Sequence, residues 1–386
     1  MSAGRCLHLL QTNATHASRV LKESHSLVRA GCARAASVVA KWDPGLNERE
    51  QIAPGIELTR VKLATLGLPR KLPWQAVKEV EWHSKVVRLA RGLNPSVVVC
   101  HSIRPLRAAV AIKRATGASL LYDAHELETE CTQPRGLLRR LDKVMERRLI
   151  RHCDAVVCVG DLIADWYARE YRIARPAVVR NIPDSRIGTG AGDPPALRER
   201  FNVPENALLF IYSGGLFPGR RVEQMLRVFP RLGTSRQIIF MGYGPLEQAV
   251  RTSSATCRNV HFLPAVPAPE VIRFAARCDV GVVGVENVCL SNYYSLPNKL
   301  FEYLLAGVPI LAPDFPEMRG VVARHECGWL VPEGDEAWLG AIRDLSPEGV
   351  HRAGERARMA AALYSWANEE QVFLKAYRQA MESRRA

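Results

Sequence analysis

Short apolar runs recur from one end of this chain to the other, and they limit its fold more than any other feature. Residues 95–100 read Pro-Ser-Val-Val-Val-Cys, 118–122 Ala-Ser-Leu-Leu-Tyr, 207–212 Ala-Leu-Leu-Phe-Ile-Tyr and 279–283 Asp-Val-Gly-Val-Val. A run that is apolar on both alternating faces has no side to give to water, which marks a strand inside a parallel sheet. Similar runs lie at 6–10, 37–40, 56–61, 154–159 and 177–180, then at 238–242, 259–263, 308–311 and 328–331. Between them the period changes to that of a helix, as where Val20, Leu21, Leu27 and Val28 fall on one side ahead of Ala30-Gly31. Strand, loop and helix in repetition give an α/β fold of the doubly wound kind. At 386 residues the chain exceeds one ordinary core, and its 47% hydrophobic content suffices for two packed domains. Gly188, Gly190, Gly192, Asp193, Pro194 and Pro195 place an interdomain linker over 185–206.

The formal net charge of +14 calls for an anionic partner: nucleic acid, anionic lipid or a phosphorylated substrate. Nucleic acid has no further support, since there is neither a recognition motif nor an aromatic stacking stripe. The ten cysteines are scattered without a CxxC pair or a zinc spacing, a pattern that fits a reducing compartment. No apolar run nears the ~18 residues of a membrane span, nor is there a signal-peptide h-region. The expectation is a cytoplasmic protein, at most peripheral on a membrane. Residues 62–93 are basic and carry Trp74 and Trp82, which fits a membrane-facing surface or a solvated face whose Trp residues are half in the core. Over 133–151, Leu138, Leu141, Met145 and Leu149 form an apolar stripe opposite Arg140, Lys143, Arg147 and Arg151. The apolar side is expected to pack on the sheet, and the basic side to meet solvent or acidic headgroups.

The richest stretch is 295–310, Ser-Leu-Pro-Asn-Lys-Leu-Phe-Glu-Tyr-Leu-Leu-Ala-Gly-Val-Pro-Ile. Pro297-Asn298 marks a turn, residues 299–306 a helix, Gly307 its stop, and 308–311 a buried strand. The unpaired amides of a helix start attract anions, and Lys299 adds a charge there. Glu302, one turn deeper, is placed to accept hydrogen bonds from a ribose. In the loop after 207–212, Gly214 and Gly215 let backbone amides approach a phosphate, and Arg220 and Arg221 would neutralise it. Gly242-Tyr243-Gly244-Pro245 is a poor dinucleotide fingerprint, because Glu247 stands where the third glycine belongs. In the first half, His101 ends the run at 95–100, and Asp123, His125 and Glu126 follow the run at 118–122. Ligands bind at the carboxyl ends of parallel strands, so these residues are candidates for chemistry, with His101 emerging at the sheet edge or else tying down the loop to Pro105. A zinc HExxH reading fails, since Thr129 stands at the second His position.

Ser295, Pro297, Asn298, Lys299, Leu300, Phe301, Glu302 and Tyr303 resemble, in order, the donor motif of the retaining family-4 glycosyltransferases. The segment Arg19-Val20-Leu21-Lys22-Glu23, the Asp123–Glu126 run, Asn181 to Asp184 and the Gly242-x-Gly244-Pro245 turn are similar to further segments of that family. The resemblance implies the GT-B architecture, two Rossmann-like domains facing a central cleft. Its boundaries would be 1–184 for the acceptor side, 185–206 for the linker, 207–365 for the nucleotide-sugar side and 366–386 for a helix crossing back. It implies catalytic roles for His101, His125 and Glu126, and donor contacts from Gly214, Gly215, Arg220, Gly244, Ser295, Asn298, Lys299 and Glu302. It also implies transfer with retention from a UDP- or GDP-sugar to a glycan or lipid-linked acceptor, in surface polysaccharide or glycolipid assembly, with neither metal nor other cofactor. Two positions depart from the family pattern: Tyr294 replaces the first of two glutamates, and Gly215 replaces an arginine. Arg220 keeps the loop's second cation, and Arg221 is a candidate to compensate for the first. A nucleotide-sugar epimerase on the same fold and a basic membrane- or nucleic-acid-binding protein are the alternatives.

Overall fold

A computed structural model describes residues 4–15, 17–69, 71–133, 135–184 and 196–383. The described residues form two compact units, one of residues Met1–Arg180 with Glu369–Ala386, the other of Asn181–Asn368. The first unit holds β1 (Arg5–Leu9), β2 (Ala35–Lys41), β3 (Arg49–Ala53), β4 (Ile56–Val61), β5 (Val97–His101), β6 (Ser119–Ala124), β7 (Ala155–Cys158) and β8 (Ala177–Val178). They join in the order β3-β4-β2-β1-β5-β6-β7-β8, all parallel except β3 against β4. The second unit holds β9 (Leu208–Gly215), β10 (Arg236–Tyr243), β11 (Val260–Pro264), β12 (Val280–Val282), β13 (Ile310–Pro313) and β14 (Gly328–Val331), in the parallel order β11-β10-β9-β12-β13-β14. In both sheets the chain starts in the middle, builds to one side, then crosses to the other. The strands flanking that reversal, β1 with β5 and β9 with β12, open a crevice at their carboxyl ends.

Alternation along the strands builds the cores. In β9, Leu209 and Ile211 join Ile239, Leu300, Phe301 and Leu304 on one face. Leu208, Phe210 and Tyr212 join Ile238, Phe240, Phe229 and Trp338 on the other. Each such side chain contributes about 1.5–3 kcal/mol by leaving water. The β3 strand was not expected. Its sequence, Arg-Glu-Gln-Ile-Ala, is polar because it is an edge strand, turned back through Pro54 and Gly55 at φ +77°.

Two expectations about helices need correction. Residues 133–151 do form a helix, Gly136–Leu149 with a short 3-10 turn after it, but Leu138 and Leu141 face solvent. The inward group is Glu146, whose carboxylate accepts the hydroxyls of Tyr122 (2.7 Å), Tyr167 (2.8 Å) and Tyr171 (2.7 Å). Burial raises the Glu146 pKa even against these three donors. In the Leu72–Leu93 helix the two Trp residues part company: Trp82 is buried and Trp74 is exposed. Lys78, expected on a basic surface, is buried and donates to the carbonyls of Leu66 and Leu68.

Of the expected linker, 185–195 lies outside the described residues, as does His16 in the N-terminal segment. Leu197–Arg200 form a helical turn, and Leu197 is buried in the second unit's core. The last helix, Trp366–Glu382, passes from the second unit to the first at Glu369. Glu369 accepts the Arg180 amide at 2.7 Å, Glu370 pairs with Arg29, and Phe373 and Tyr377 are buried.

Candidate functional site

In the second unit the loop after β9 and the helix Asn298–Leu305 meet at the carboxyl end of the sheet. The helix starts where Pro297 is extended, and it is anchored by Tyr303, whose hydroxyl accepts the Ser213 amide at 3.0 Å and reaches the carbonyls of Ile211 and Val282. That anchor sets Lys299, half-buried, with Nζ 3.8 Å from the centre of the Tyr212 ring. Gly214 sits at φ +115°, a backbone conformation that side-chain-bearing residues rarely adopt, and a Cβ there would only touch Lys299 Nζ, at 3.5 Å. Gly244, at φ +149°, is constrained by space as well: a Cβ would come within 2.5 Å of the Leu216 carbonyl oxygen. Desolvation, with Arg220 adding repulsion, brings the Lys299 pKa from 10.5 to about 7 against the pull of Glu302. The structure thus gathers Gly214, Arg220, Lys299 and Glu302 into one basic, glycine-lined recess. Gly215 accepts the Tyr212 hydroxyl at 2.8 Å, Asn298 is exposed in the first helical turn, and the buried Ser295 Oγ has no hydrogen-bond partner among the described residues.

Arg221 does not compensate for the missing cation. It is 1% exposed at φ +55°, with Nε on the Val285 carbonyl (2.7 Å), Nη1 on Gln224 (2.7 Å), an ion pair to Glu333 and its guanidinium 5.1 Å from the Trp338 ring centre. It holds the loop from behind.

In the first unit the reversal point between β1 and β5 carries a buried polar chain. His8 Nδ1 lies 2.9 Å from His101 Nε2, and His101 Nδ1 lies 3.0 Å from Asp123 Oδ2, its neighbour in register on β6. His125 Nε2 reaches the same oxygen at 3.0 Å. Arg19 donates to both Asp123 oxygens, at 2.8 and 2.7 Å, and to the Val179 carbonyl, and it pairs with Glu23 at 3.0 Å. Burial favours a neutral Asp123, but Arg19 and the two histidines hold its pKa well below the carboxylate range. Burial lowers His101 to about 4 and also holds His8 well below the usual imidazole range, and it raises Glu23, with the Asp123 charge adding to the rise. Near neutral pH, Asp123 is therefore the anion and both rings are neutral. Each ring then donates toward it: His101 through Nδ1 to Asp123, His8 through Nδ1 to the freed His101 Nε2.

Placement corrects the expectation for His101. It is 2% exposed and does not emerge at the sheet edge. His125, half-buried, and Glu126, exposed, are the members of the set that reach solvent. His8, Arg19 and Glu23 belong to the cluster without having been singled out for chemistry. Their burial, 4% exposure or less for Arg19 and Glu23 and none for His8, shows only in the folded chain. Glu128 was also missed: burial raises its carboxyl to about 7 while the Ile103 amide donates to it at 2.8 Å. With Glu126, Arg104 and Arg107 it lines a cavity of about 540 Å³. His8, Glu23 and His101 have the spacing of metal ligands, as do His101, Asp123 and His125. Arg19 already supplies the positive charge between the two carboxylates that a cation would bring.

Two Rossmann-like sheets, one ending in a basic recess and the other in a His-Asp-His cluster, define an α/β enzyme of the GT-B glycosyltransferase fold. The profile described as Glycosyl transferases group 1 matches residues 207–347, and that described as Glycosyltransferase Family 4 matches 19–184. The chain belongs to the group 1, family 4 glycosyltransferases. Amylovoran biosynthesis glycosyltransferase AmsK of Erwinia amylovora is 25% identical over 121 residues, which are 30% of this chain and 29% of that protein. The chain thus matches under a third of that relative's length. Among solved structures, sucrose-phosphate synthase of Thermosynechococcus elongatus superposes with a TM-score of 0.76 at 16% identity, covering 97% of this chain and 98% of that one. HepE of Anabaena, in complex with UDP-glucose, gives 0.71 at 14%, over 96% and 98%. WaaG, a glycosyltransferase involved in lipopolysaccharide biosynthesis, gives 0.68 at 16%, over 96% and 98%.

Proposed function

We propose that this enzyme moves a sugar from a UDP- or GDP-sugar to a glycan or lipid-linked acceptor, with retention and without a metal, in surface polysaccharide or glycolipid assembly. The observation that carries the reading is the recess of Gly214, Arg220 and Lys299 at the start of the Asn298–Leu305 helix. A departing nucleoside diphosphate is a dianion or more. Two cations with helix-start amides stabilise that charge as the glycosidic bond breaks, in the role a metal ion plays elsewhere. Glu302 receives the ribose, and Gly215, Gly244, Ser295 and Asn298 border the donor. The acceptor attacks on the face the diphosphate leaves, and the leaving phosphate takes its proton. On the acceptor side, residues 1–184 present His125 and Glu126 to the sugars, with His101 positioning His125 through Asp123. UDP-glucose bound by HepE and the biosynthetic roles named for AmsK and WaaG support the donor class and the setting. No helix among the described residues is long and apolar enough to cross a membrane. A cytoplasmic enzyme on the inner membrane face, where lipid-linked acceptors are met, belongs to the same reading.

The test is a calorimetric and hydrolysis screen of UDP-, GDP- and ADP-sugars with and without chelator. We expect one UDP- or GDP-sugar to bind and turn over in chelator, and Lys299→Ala to weaken binding roughly tenfold or more and to lower turnover. Binding that Lys299→Ala leaves intact would put the donor elsewhere.

A further inference from the structure

The helix Gly136–Leu149 is inverted with respect to a helix that packs on a sheet. It turns Glu146 inward and leaves Leu137 71%, Leu138 51%, Leu141 56% and Val144 46% exposed. Spacings of one, three and four residues put those four on a single arc. Arg140, Arg147 and Arg148 lie on or beside that arc, and Arg151 just beyond it; all four are exposed. Across the cavity of about 540 Å³, which Val80, Asp142 and Met145 help to line, the Leu72–Leu93 helix exposes Trp74, Val77 and Val80. Single exposed apolar residues are ordinary, but two rows of them on the two helices that contribute to one cavity are not.

We propose that this face docks on a bilayer that contains anionic lipid. The charge selects the occupant. Residues 135–151 contain seven Arg and Lys residues against Asp142 and the buried Glu146. Arg139 and Lys143 pair with Glu130, and Arg147 approaches Glu170, whereas Arg135, Arg140, Arg148 and Arg151 enter no ion pair among the described residues. Leucines that sink into the acyl boundary, with arginines beside them at headgroup level, are the composition of a helix lying in a membrane interface. A second copy of the chain fits poorly, because a two-fold contact would set one face rich in these arginines against the same face of its partner. The inference takes the membrane partner of the proposed function and assigns it a surface. The cavity would then open beside the bilayer, so that an acceptor borne by a lipid enters from its edge.

The experiment is co-sedimentation of the full chain with vesicles of phosphatidylcholine alone and of phosphatidylcholine mixed with phosphatidylglycerol, at low and high salt. We expect partition onto the anionic vesicles only, weakened by salt. The double variant Leu138→Glu/Leu141→Glu should reduce it at least roughly tenfold, and Arg140→Glu/Arg148→Glu similarly. These side chains face solvent, so circular dichroism and UDP affinity should match the wild type. Equal partition of wild type and both variants, or partition indifferent to lipid charge, overturns the proposal. So does self-association that Leu138→Glu/Leu141→Glu abolishes, which would make a second copy the occupant. A wild type that binds vesicles but no nucleotide would sink the glycosyl-transfer reading and leave this one standing.

Discussion

With its ammonium against the Tyr212 ring and close to Arg220, Lys299 carries a pKa of about 7 in place of 10.5. The sign of its effect on stability follows. Between about pH 10.5 and 7 the unfolded chain holds a proton that the folded one lacks, so this group costs stability increasingly as pH falls through that window, and constantly below it. A bound diphosphate reverses the balance by favouring the charged form. UDP binding at pH 8 should therefore take up close to one proton, read from calorimetry in buffers of different ionisation enthalpy, and its affinity should fall as pH rises above 7. Lys299→Ala should lower affinity roughly tenfold or more, the worth of a charge-assisted hydrogen bond of ~1.5–3 kcal/mol, and remove the proton uptake. Uptake that persists in the variant would assign it to another group. His101 gives a second test at this scale. Its pKa is depressed from 6.5 to about 4, so the unfolded chain gains a proton first as pH falls between those values. Stability should drop across that window by an amount on the order of 3 kcal/mol, and His101→Gln should flatten the curve. On the proposed role of His101, positioning His125 through Asp123, His101→Ala should lower both the melting temperature and kcat with little change in UDP affinity. His101→Gln, which can still donate to Asp123, should restore part of kcat.

Among the elements, those with local signals were legible. Helical spacing after Pro297 and a stop at Gly307 located the Asn298–Leu305 helix and β13 correctly, and Gly307 does adopt φ +70°. The Gly136–Leu149 helix was equally visible as a helix, yet its orientation was not. Which face turns inward depends on Tyr122 in β6 and on Tyr167 and Tyr171 in the Asp161–Tyr171 helix, all more than twenty residues from Glu146. Periodicity reports that two faces differ; it does not report that a carboxylate has found three hydroxyls. Glu146→Ala would leave the buried Tyr122 and Tyr167 hydroxyls unpaired and Tyr171 with only Thr129, at 3.5 Å, at roughly 1–3 kcal/mol for each lost partner at most. We expect urea denaturation to show a loss of about 3 kcal/mol or more, against a smaller loss for Glu146→Gln, which keeps an acceptor oxygen. Similar losses in the two variants would mean that the tyrosines find other partners.

At the scale of the molecule, strand–helix alternation was enough to read two doubly wound sheets, because each buried strand announces itself in a run of adjacent residues. The site in the first unit was only half legible for the opposite reason. Its chain of contacts joins β1, the Ser18–Arg29 helix, β5 and β6, and nothing in the neighbourhood of His8 or Glu23 signals that they converge. The last helix offers a test that depends on the division into units. Removing residues 369–386 takes away Phe373, Tyr377 and the carboxylates that hold Arg180 and Arg29. Calorimetry of the truncated chain should show the first unit's transition lowered or lost, while the second unit still melts cooperatively and is still raised by UDP. A truncated chain with both transitions unchanged would mean that the segment is dispensable.

That division also bears on the order of events at the ribosome. The second unit is one continuous stretch, Asn181–Asn368, and can close as soon as it has emerged. The first unit, although synthesised first, lacks Glu369, Phe373 and Tyr377 until the segment after residue 368 has been translated. Nascent chains usually mature from the N-terminus onward; here the N-terminal unit should be the last to become resistant to protease. Chains truncated after residue 368 and released from the ribosome should yield a protected second unit beside a digestible first one. Such a chain would present its exposed arginines and leucines before the sheet behind them is complete, so a chaperone is expected to meet that face earlier than a bilayer does.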